Sequence, residues 1–145
     1  NDAGSEYIIN TISKWSKIYN NFQLYRSLGA SDYHGILSLS LKNYQVVCLG
    51  NSSSGIKETA IFKCPSINIG NRQDGRVRPK NVVDIPKINT KKIIATISFV
   101  LKNKNFQKSL KNINDPYYFG GAKKQFLIGI KTALRKNSTN KKHLF

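Results

Sequence analysis

Apolar residues recur at spacings of three and four over residues 5–20, where Ile8, Ile9, Ile12, Trp15 and Tyr19 share a face. That period predicts an amphipathic helix with Ser5 at its N-cap. Over residues 22–27, "FQLYRS", the period changes to two, which predicts a strand. Gly29 then interrupts the chain, and Ser31 or Asp32 can cap a second helix through Leu37 to Lys42. The run "YQVVCLG" (44–50) has few polar positions, as a strand covered on both faces does. A short helix is expected from Gly55 to about Lys63, then a brief strand, "SINIG" (66–70), after Pro65. "NRQDGRVRPK" is polar, carries Gly75 and Pro79, and reads as a loop, with "NVVDI" as a last strand. Residues 90–104 align Ile93, Ile94, Ile97, Val100 and Leu101 on one helical face. "NDPYYFGGA" breaks that helix, and residues 122–135 form a final one with Phe126, Ile130 and Leu134 aligned. The tail 136–145 is basic and expected to fray, and no internal repeat is visible.

Strands alternate with helices, so the connections are βαβ crossovers and the sheet is mostly parallel, half of a doubly wound α/β architecture. Ligands in such sheets bind beyond the carboxyl ends of the strands.

A chain of 145 residues, 39% hydrophobic, suits one folded domain, here 1–135. No apolar run is long enough to span a membrane, and no signal peptide is recognisable at the start. Cys48 and Cys64 cannot make a disulfide scaffold and read as small core residues of a reduced, cytoplasmic protein. The net charge of +17 invites a nucleic-acid reading. The lysines are dispersed over every segment, however, and asparagine is abundant too, so the charge reads as solvated surface with no specific nucleic-acid partner. The chain contains no Met and opens "NDAGSE", the expectation being a piece of a longer protein.

The candidate chemistry begins where "YQVVCLG" ends, in "GNSSSGIKE". At a helix N-terminus the first N–H groups lack partners and carry partial positive charge, so a phosphate can accept them while serine hydroxyls add donors. Ser52, Ser53, Ser54 and Gly55 sit at that position, Gly55 allowing a close backbone approach. A capping box fits poorly, because Gly55, Ile56 and Lys57 lie three residues after the serines. Glu58, one turn into the helix, has the wrong sign for a phosphate but suits the two hydroxyls of a ribose. On spacing alone, nucleotide binding and a serine-rich turn stand level. Arg72, Arg76 and Arg78 lie past the next strand end, where guanidinium forks match phosphate oxygens. Two adjacent strand ends then favour a shared anion over a solvated basic loop.

"GNSSSGIKE" followed by "PSINIGNRQDGR", with "NDAGSE" and "SLGASDYHGIL", resembles the UDP-N-acetylglucosamine 2-epimerase family, in particular its hydrolysing branch in sialic and legionaminic acid biosynthesis. The likeness covers residues 1 to about 135 and points to that family's C-terminal domain. It implies a Rossmann-like three-layer sandwich, one half of a two-domain fold similar to B-type glycosyltransferases. It further implies a UDP-sugar substrate, no cofactor or metal, an N-terminal domain supplying the other wall of the cleft, and a homo-oligomer at full length. By resemblance Ser52 and Ser53 hold the diphosphate, Ser54 and Gly55 offer amides, and Glu58 binds the ribose. Arg72 contacts UDP, Arg76 supports its loop, and Leu28 and Tyr33 line the uracil pocket. No catalytic acid–base residue is expected in this chain.

Two departures stand out. The family often carries a glycine–acid–glycine stretch before its last helix, where this chain has "YYFGGAKK". The first helix presents Glu6, Asn10 and Ser13 where basic residues can bind a feedback nucleotide sugar, so that regulation is not expected here. His34, expected on the first turn of a helix, and His143, in the tail, are poor candidates for catalysis. No Cys/His cluster has metal-ligand spacing. The rivals are a non-hydrolysing epimerase, a sibling using a modified UDP-sugar, a basic nucleic-acid-binding module and an inactive remnant.

Overall fold

The computed structural model describes residues 4–118 and 120–140, the side chains of 136–140 excepted. They fall into two units, residues 1–36 and 37–145.

The first unit opens with α1 (Ser5–Ile18), whose N-cap is Gly4 rather than Ser5 and which makes no side-chain capping bond. The expected apolar face exists, but no residue of α1 is buried, and Ile8, Ile9 and Trp15 are about half exposed. Residues 22–27 form no strand, contrary to expectation. Alternation alone cannot make a strand without a neighbour to hydrogen-bond. Instead the Phe22 amide donates to the Tyr19 carbonyl and its ring meets Trp15 edge-on at 6.2 Å, folding the segment back on the helix end. Helix α2 (Gly29–Ser38) starts at the glycine expected to interrupt it, and Ser31 and Asp32 lie inside its first turn. Ser27 is the residue whose hydroxyl accepts from the Gly29 amide, at 3.2 Å. The boundary between the units falls within α2, and Leu39–Lys42 continues as a 3-10 turn rather than as α-helix.

In the second unit, β1 (Cys48–Gly50) is shorter than the 44–50 run, because β2 offers it only a short partner. The next helix, α3 (Ser54–Lys57), is a single turn instead of reaching Lys63. Its continuation is unwound: the Thr59 hydroxyl bonds the Gly55 carbonyl at 2.8 Å, the Cys64 amide bonds the Thr59 carbonyl, and Lys63 takes φ 53. Asn81 fixes that arrangement from below, its amide nitrogen donating to Thr59 Oγ1 at 2.8 Å and to the Cys64 carbonyl at 2.6 Å.

Strands β2 (Ser66–Ile69) and β3 (Val82–Ile85) lie where expected, and the sheet order is β1-β2-β3 with both pairs parallel. The pleat sorts the side chains. Ile67 and Ile85 face α4 (Thr90–Lys102) and pack on Val100, with Ile93, Ile97 and Leu101 around them. Cys48 and Ser66 point the other way, toward Gly55 of α3. Helices therefore cover both faces, and the unit is a Rossmann-like α/β fold with a three-layer order. Each fully buried aliphatic side chain contributes on the order of 1.5–3 kcal/mol.

Helix α4 is capped by Asn89, whose side chain accepts from the Lys92 amide at 2.9 Å, and it stops at Asn103. Asn103 in turn caps a separate short helix, α5 (Lys104–Leu110), which the single apolar stripe did not reveal. Helix α6 (Ala122–Asn140) runs into residues expected to fray, and its aligned Phe126 and Leu134 are 68% and 64% exposed, so the periodicity was right but none of its described side chains is buried. His143 lies outside the described residues.

Candidate functional site

Strand β1 ends on Gly50 (φ 152) and β2 is followed by Gly70 (φ 83), both in backbone that residues with a Cβ rarely adopt, so the chain turns sharply into a polar loop after each strand at the same sheet edge.

In the first loop Ser52 is exposed, Ser53 and Ser54 are half-buried, and Gly55 is buried. The Ser54 hydroxyl donates to Ser52 Oγ at 3.0 Å, and the Ser54 amide points to the same oxygen at 3.4 Å. Ser53 is the N-cap of α3 through its carbonyl, which accepts the Ile56 and Lys57 amides, and makes no side-chain cap. Neither a capping box nor a long helix dipole is built here. With only four residues in α3, the donors are local N–H and O–H groups. Glu58, expected inside the helix, is its C-terminal cap. Gly55 also differs in its reason: a Cβ there would stand 3.1 Å from Ser66 Oγ and 3.5 Å from Cys48 Sγ, so its bareness lets α3 sit on the sheet. Beside the loop a cavity of about 230 Å³ is lined by Cys48, Gly50, Ser52, Gly55, Ser66 and Asn68.

The second loop holds Arg72 and Arg76 exposed. Arg78 is not part of an anion-facing trio. Its Nε donates to the Asp84 carboxylate at 3.0 and 3.2 Å, and its NH1 donates to the carbonyls of Gln73 and Arg76, both at 2.8 Å. Asp84 also accepts from the Asn68 amide at 2.6 Å. Arg78 therefore braces the loop from inside. Sequence reasoning passed over Gln73, only 4% exposed, whose Nε2 donates to the Asn51 carbonyl at 2.8 Å. That bond joins the two loops; the available signal was its place between Arg72 and the first turn of the loop. Tyr117, from the segment that departs from the expected glycine–acid–glycine, donates its phenol to the Val77 carbonyl at 2.9 Å and leans on the same loop.

Leu28 and Tyr33 belong to the first unit, Leu28 just before α2 and Tyr33 within it, its ring tilted against His34 at 5.8 Å. His34 lies in the second turn of α2, not the first. Among the described residues no group of three or more His, Cys, Asp or Glu can hold a metal ion, and no helix is long and apolar enough to cross a membrane. Neither cysteine is in a disulfide, and burial pushes the Cys64 thiol up from its ordinary 9.0.

An all-parallel α/β unit with polar loops gathered at the carboxyl ends of its strands belongs to the Rossmann-like class, whose ligand sites lie at that edge. The family model described as UDP-N-acetylglucosamine 2-epimerase matches residues 1–131, and the chain belongs to that family. Polysialic acid biosynthesis protein P7 of Escherichia coli is 32% identical over 117 residues, covering 81% of this chain and 28% of that protein. The GDP/UDP-N,N'-diacetylbacillosamine 2-epimerase (hydrolyzing) of Campylobacter jejuni is 47% identical over 62 residues, 43% of this chain and 15% of that protein. The UDP-N-acetylglucosamine 2-epimerase of Neisseria meningitidis is 30% identical over 83 residues, 57% and 20%. The chain thus spans less than a third of the length of each of these relatives.

Proposed function

We propose that this chain is the UDP-binding part of a UDP-sugar 2-epimerase of the hydrolysing type, with residues 1–135 forming its C-terminal domain and 136–145 a basic tail. The observation that carries the reading is the Gln73–Asn51 hydrogen bond, which holds the serine loop and the arginine loop side by side at the ligand-binding edge of the sheet. In this reading Ser52 and Ser53 hold the diphosphate with the amides of Ser54 and Gly55, and Arg72 adds a guanidinium fork. Arg76 supports that loop, Glu58 takes the ribose hydroxyls, and Leu28 and Tyr33 line the uracil pocket.

The reaction proposed for the whole enzyme removes the C2 proton and expels UDP from C1 of UDP-N-acetylglucosamine. Water then adds to the resulting glycal, giving N-acetylmannosamine. This chain's part is electrostatic: donors aimed at the departing phosphate lower the cost of the charge that develops there. The acid–base groups and the second wall of the cleft are assigned to an N-terminal domain, and the assembly to a homo-oligomer. With both cysteines outside any disulfide, the reading assigns the protein to a reducing compartment, the cytoplasm. Hydrolysis rather than plain epimerisation is favoured by the names of the Campylobacter relative and of a Legionella pneumophila relative, 54% identical over 39 residues, 27% of this chain and 10% of that protein. Those same names support a second reading in which the sugar is N,N'-diacetylbacillosamine.

Titration calorimetry tests the assignment. UDP binds more tightly than UMP, and Glu58→Gln weakens UDP by roughly 1–2 kcal/mol with little change in folding stability. Equal affinities for UDP and UMP, or no binding of either, remove the diphosphate site.

A further inference from the structure

We propose that Gln73 is a positioning residue, a clasp that sets the distance between the serine loop and the arginine loop so that both reach one diphosphate. The inference rests on the reading of this edge as a diphosphate site, and it goes beyond that reading by making the Gln73–Asn51 bond a determinant of which phosphate is preferred.

Gln73 is held at both of its ends. Its side-chain nitrogen donates to the Asn51 carbonyl at 2.8 Å, and its own backbone carbonyl accepts NH1 of Arg78 at 2.8 Å. Arg78 is anchored on Asp84, and Asp84 on Asn68. The polar path Asn51–Gln73–Arg78–Asp84–Asn68 therefore starts at the end of β1, passes through the loop after β2, enters β3 and returns to β2. Every member sits at the carboxyl edge, and Asn68 lines the cavity beside the serine loop.

Folding stability alone gives a poor account of Gln73. The residue is 4% exposed, yet its Oε1 is buried and finds no hydrogen-bond partner among the described residues. A buried acceptor left unsatisfied is a net cost that an apolar side chain of the same shape would avoid. What the amide adds is a directional bond between the loops. Because Asn51 lies beside Ser52, and Arg72 directly precedes Gln73, loosening this bond moves donors on both sides of the site at once. A monophosphate needs fewer of them than a diphosphate, so the clasp is a determinant of diphosphate selectivity.

The test uses the 145-residue chain with Gln73→Met, which keeps the volume and removes the donor. Ile67→Val, a destabilising change in the core away from both loops, is the control. Gln73→Met should raise the Kd for UDP about tenfold while changing UMP binding much less, so that the preference for UDP collapses. In ligand-free protein the amides of residues 51–56 and 71–76 should both exchange faster, with the rest of the chain unaffected. Ile67→Val should leave the UDP-to-UMP preference as it was. UDP binding by the parent chain that Gln73→Met leaves unaltered overturns the clasp alone. Faster exchange confined to residues 71–76 does the same. Failure of the parent chain to bind UDP overturns the diphosphate reading itself, and the clasp's purpose with it.

Discussion

Replacing Gly55 by Ala puts a methyl group between α3 and the sheet. The new Cβ would lie 3.1 Å from Ser66 Oγ and 3.5 Å from Cys48 Sγ, where ordinary contact begins at 3.4 Å. Ser66 cannot retreat with its backbone, because β2 is the central strand and is hydrogen-bonded on both sides. It is 2% exposed, so its hydroxyl is hemmed in as well. Overpacking of this kind costs roughly 1–3 kcal/mol, offset by about 0.5–1 kcal/mol from the reduced backbone freedom of Ala relative to Gly. The net expectation is a loss of about 1 kcal/mol, or about 4 °C in Tm for a chain of this length. Urea denaturation of Gly55→Ala, Ser66→Ala and the double variant checks it. Ser66→Ala removes the clashing atom, so the double variant should recover about 1 kcal/mol relative to the sum of the singles. A Gly55→Ala chain as stable as the parent, or one that Ser66→Ala does nothing to relieve, would refute close approach as the reason for the glycine.

Three further outcomes are expected. Asn81→Asp replaces a buried donor that serves Thr59 Oγ1 and the Cys64 carbonyl by an acceptor, and should destabilise the chain by about 3–5 kcal/mol in urea titration; a loss under about 1 kcal/mol would mean that the site relaxes. Burial raises the folded-state pKa of Cys64 above the ordinary 9.0, so its contribution is fully present below pH 9.0 and is lost as pH rises from there through the folded value. The fall in stability above that pH should therefore be shallower in Cys64→Ala than in the parent, and equal slopes would remove the argument. Incubated with UDP-N-acetylglucosamine, the chain by itself should release no UDP and form no N-acetylmannosamine by NMR, turnover above background being the contrary result.

Elements bounded by strong local signals were legible in the sequence. Strand β2 lies between Pro65 and Gly70, and α4 follows a capping Asn89 with an unbroken apolar stripe. The misreadings arose where local pattern had to be completed by a partner. Residues 22–27 alternate, but Phe22 finds Trp15 instead of a neighbouring strand. The turn after α3 is unwound by Asn81, which lies 22 residues beyond Thr59. At the candidate site the serine and arginine loops were legible as clusters of donors, because their chemistry is local. Arg78 was misassigned because charge does not announce its partner, and Asp84 stands in the following strand. Gln73 was missed because one neutral amide in a polar loop has no periodicity and no charge to mark it.

The expectation of inactivity follows from how the carboxylates of the second unit are engaged near this edge. A general base must offer a lone pair to the proton it removes. Asp84 has its oxygens committed to the Arg78 guanidinium and the Asn68 amide, and Asp74 lies 3.7 Å from the same guanidinium. Glu58 closes α3 through its backbone amide, and its carboxylate is assigned to the ribose in the proposed reading. Arg72, Arg76 and the serines, by contrast, are assigned in the proposed reading to meet negative charge, which suits the bond that breaks to UDP and not the proton taken from carbon. Orientation of a sugar between two walls can itself be worth roughly 7–11 kcal/mol of barrier, and a single sheet edge supplies one wall. In the proposed reading the chain therefore favours departure of the nucleotide, and removal of the proton falls to groups brought to face it.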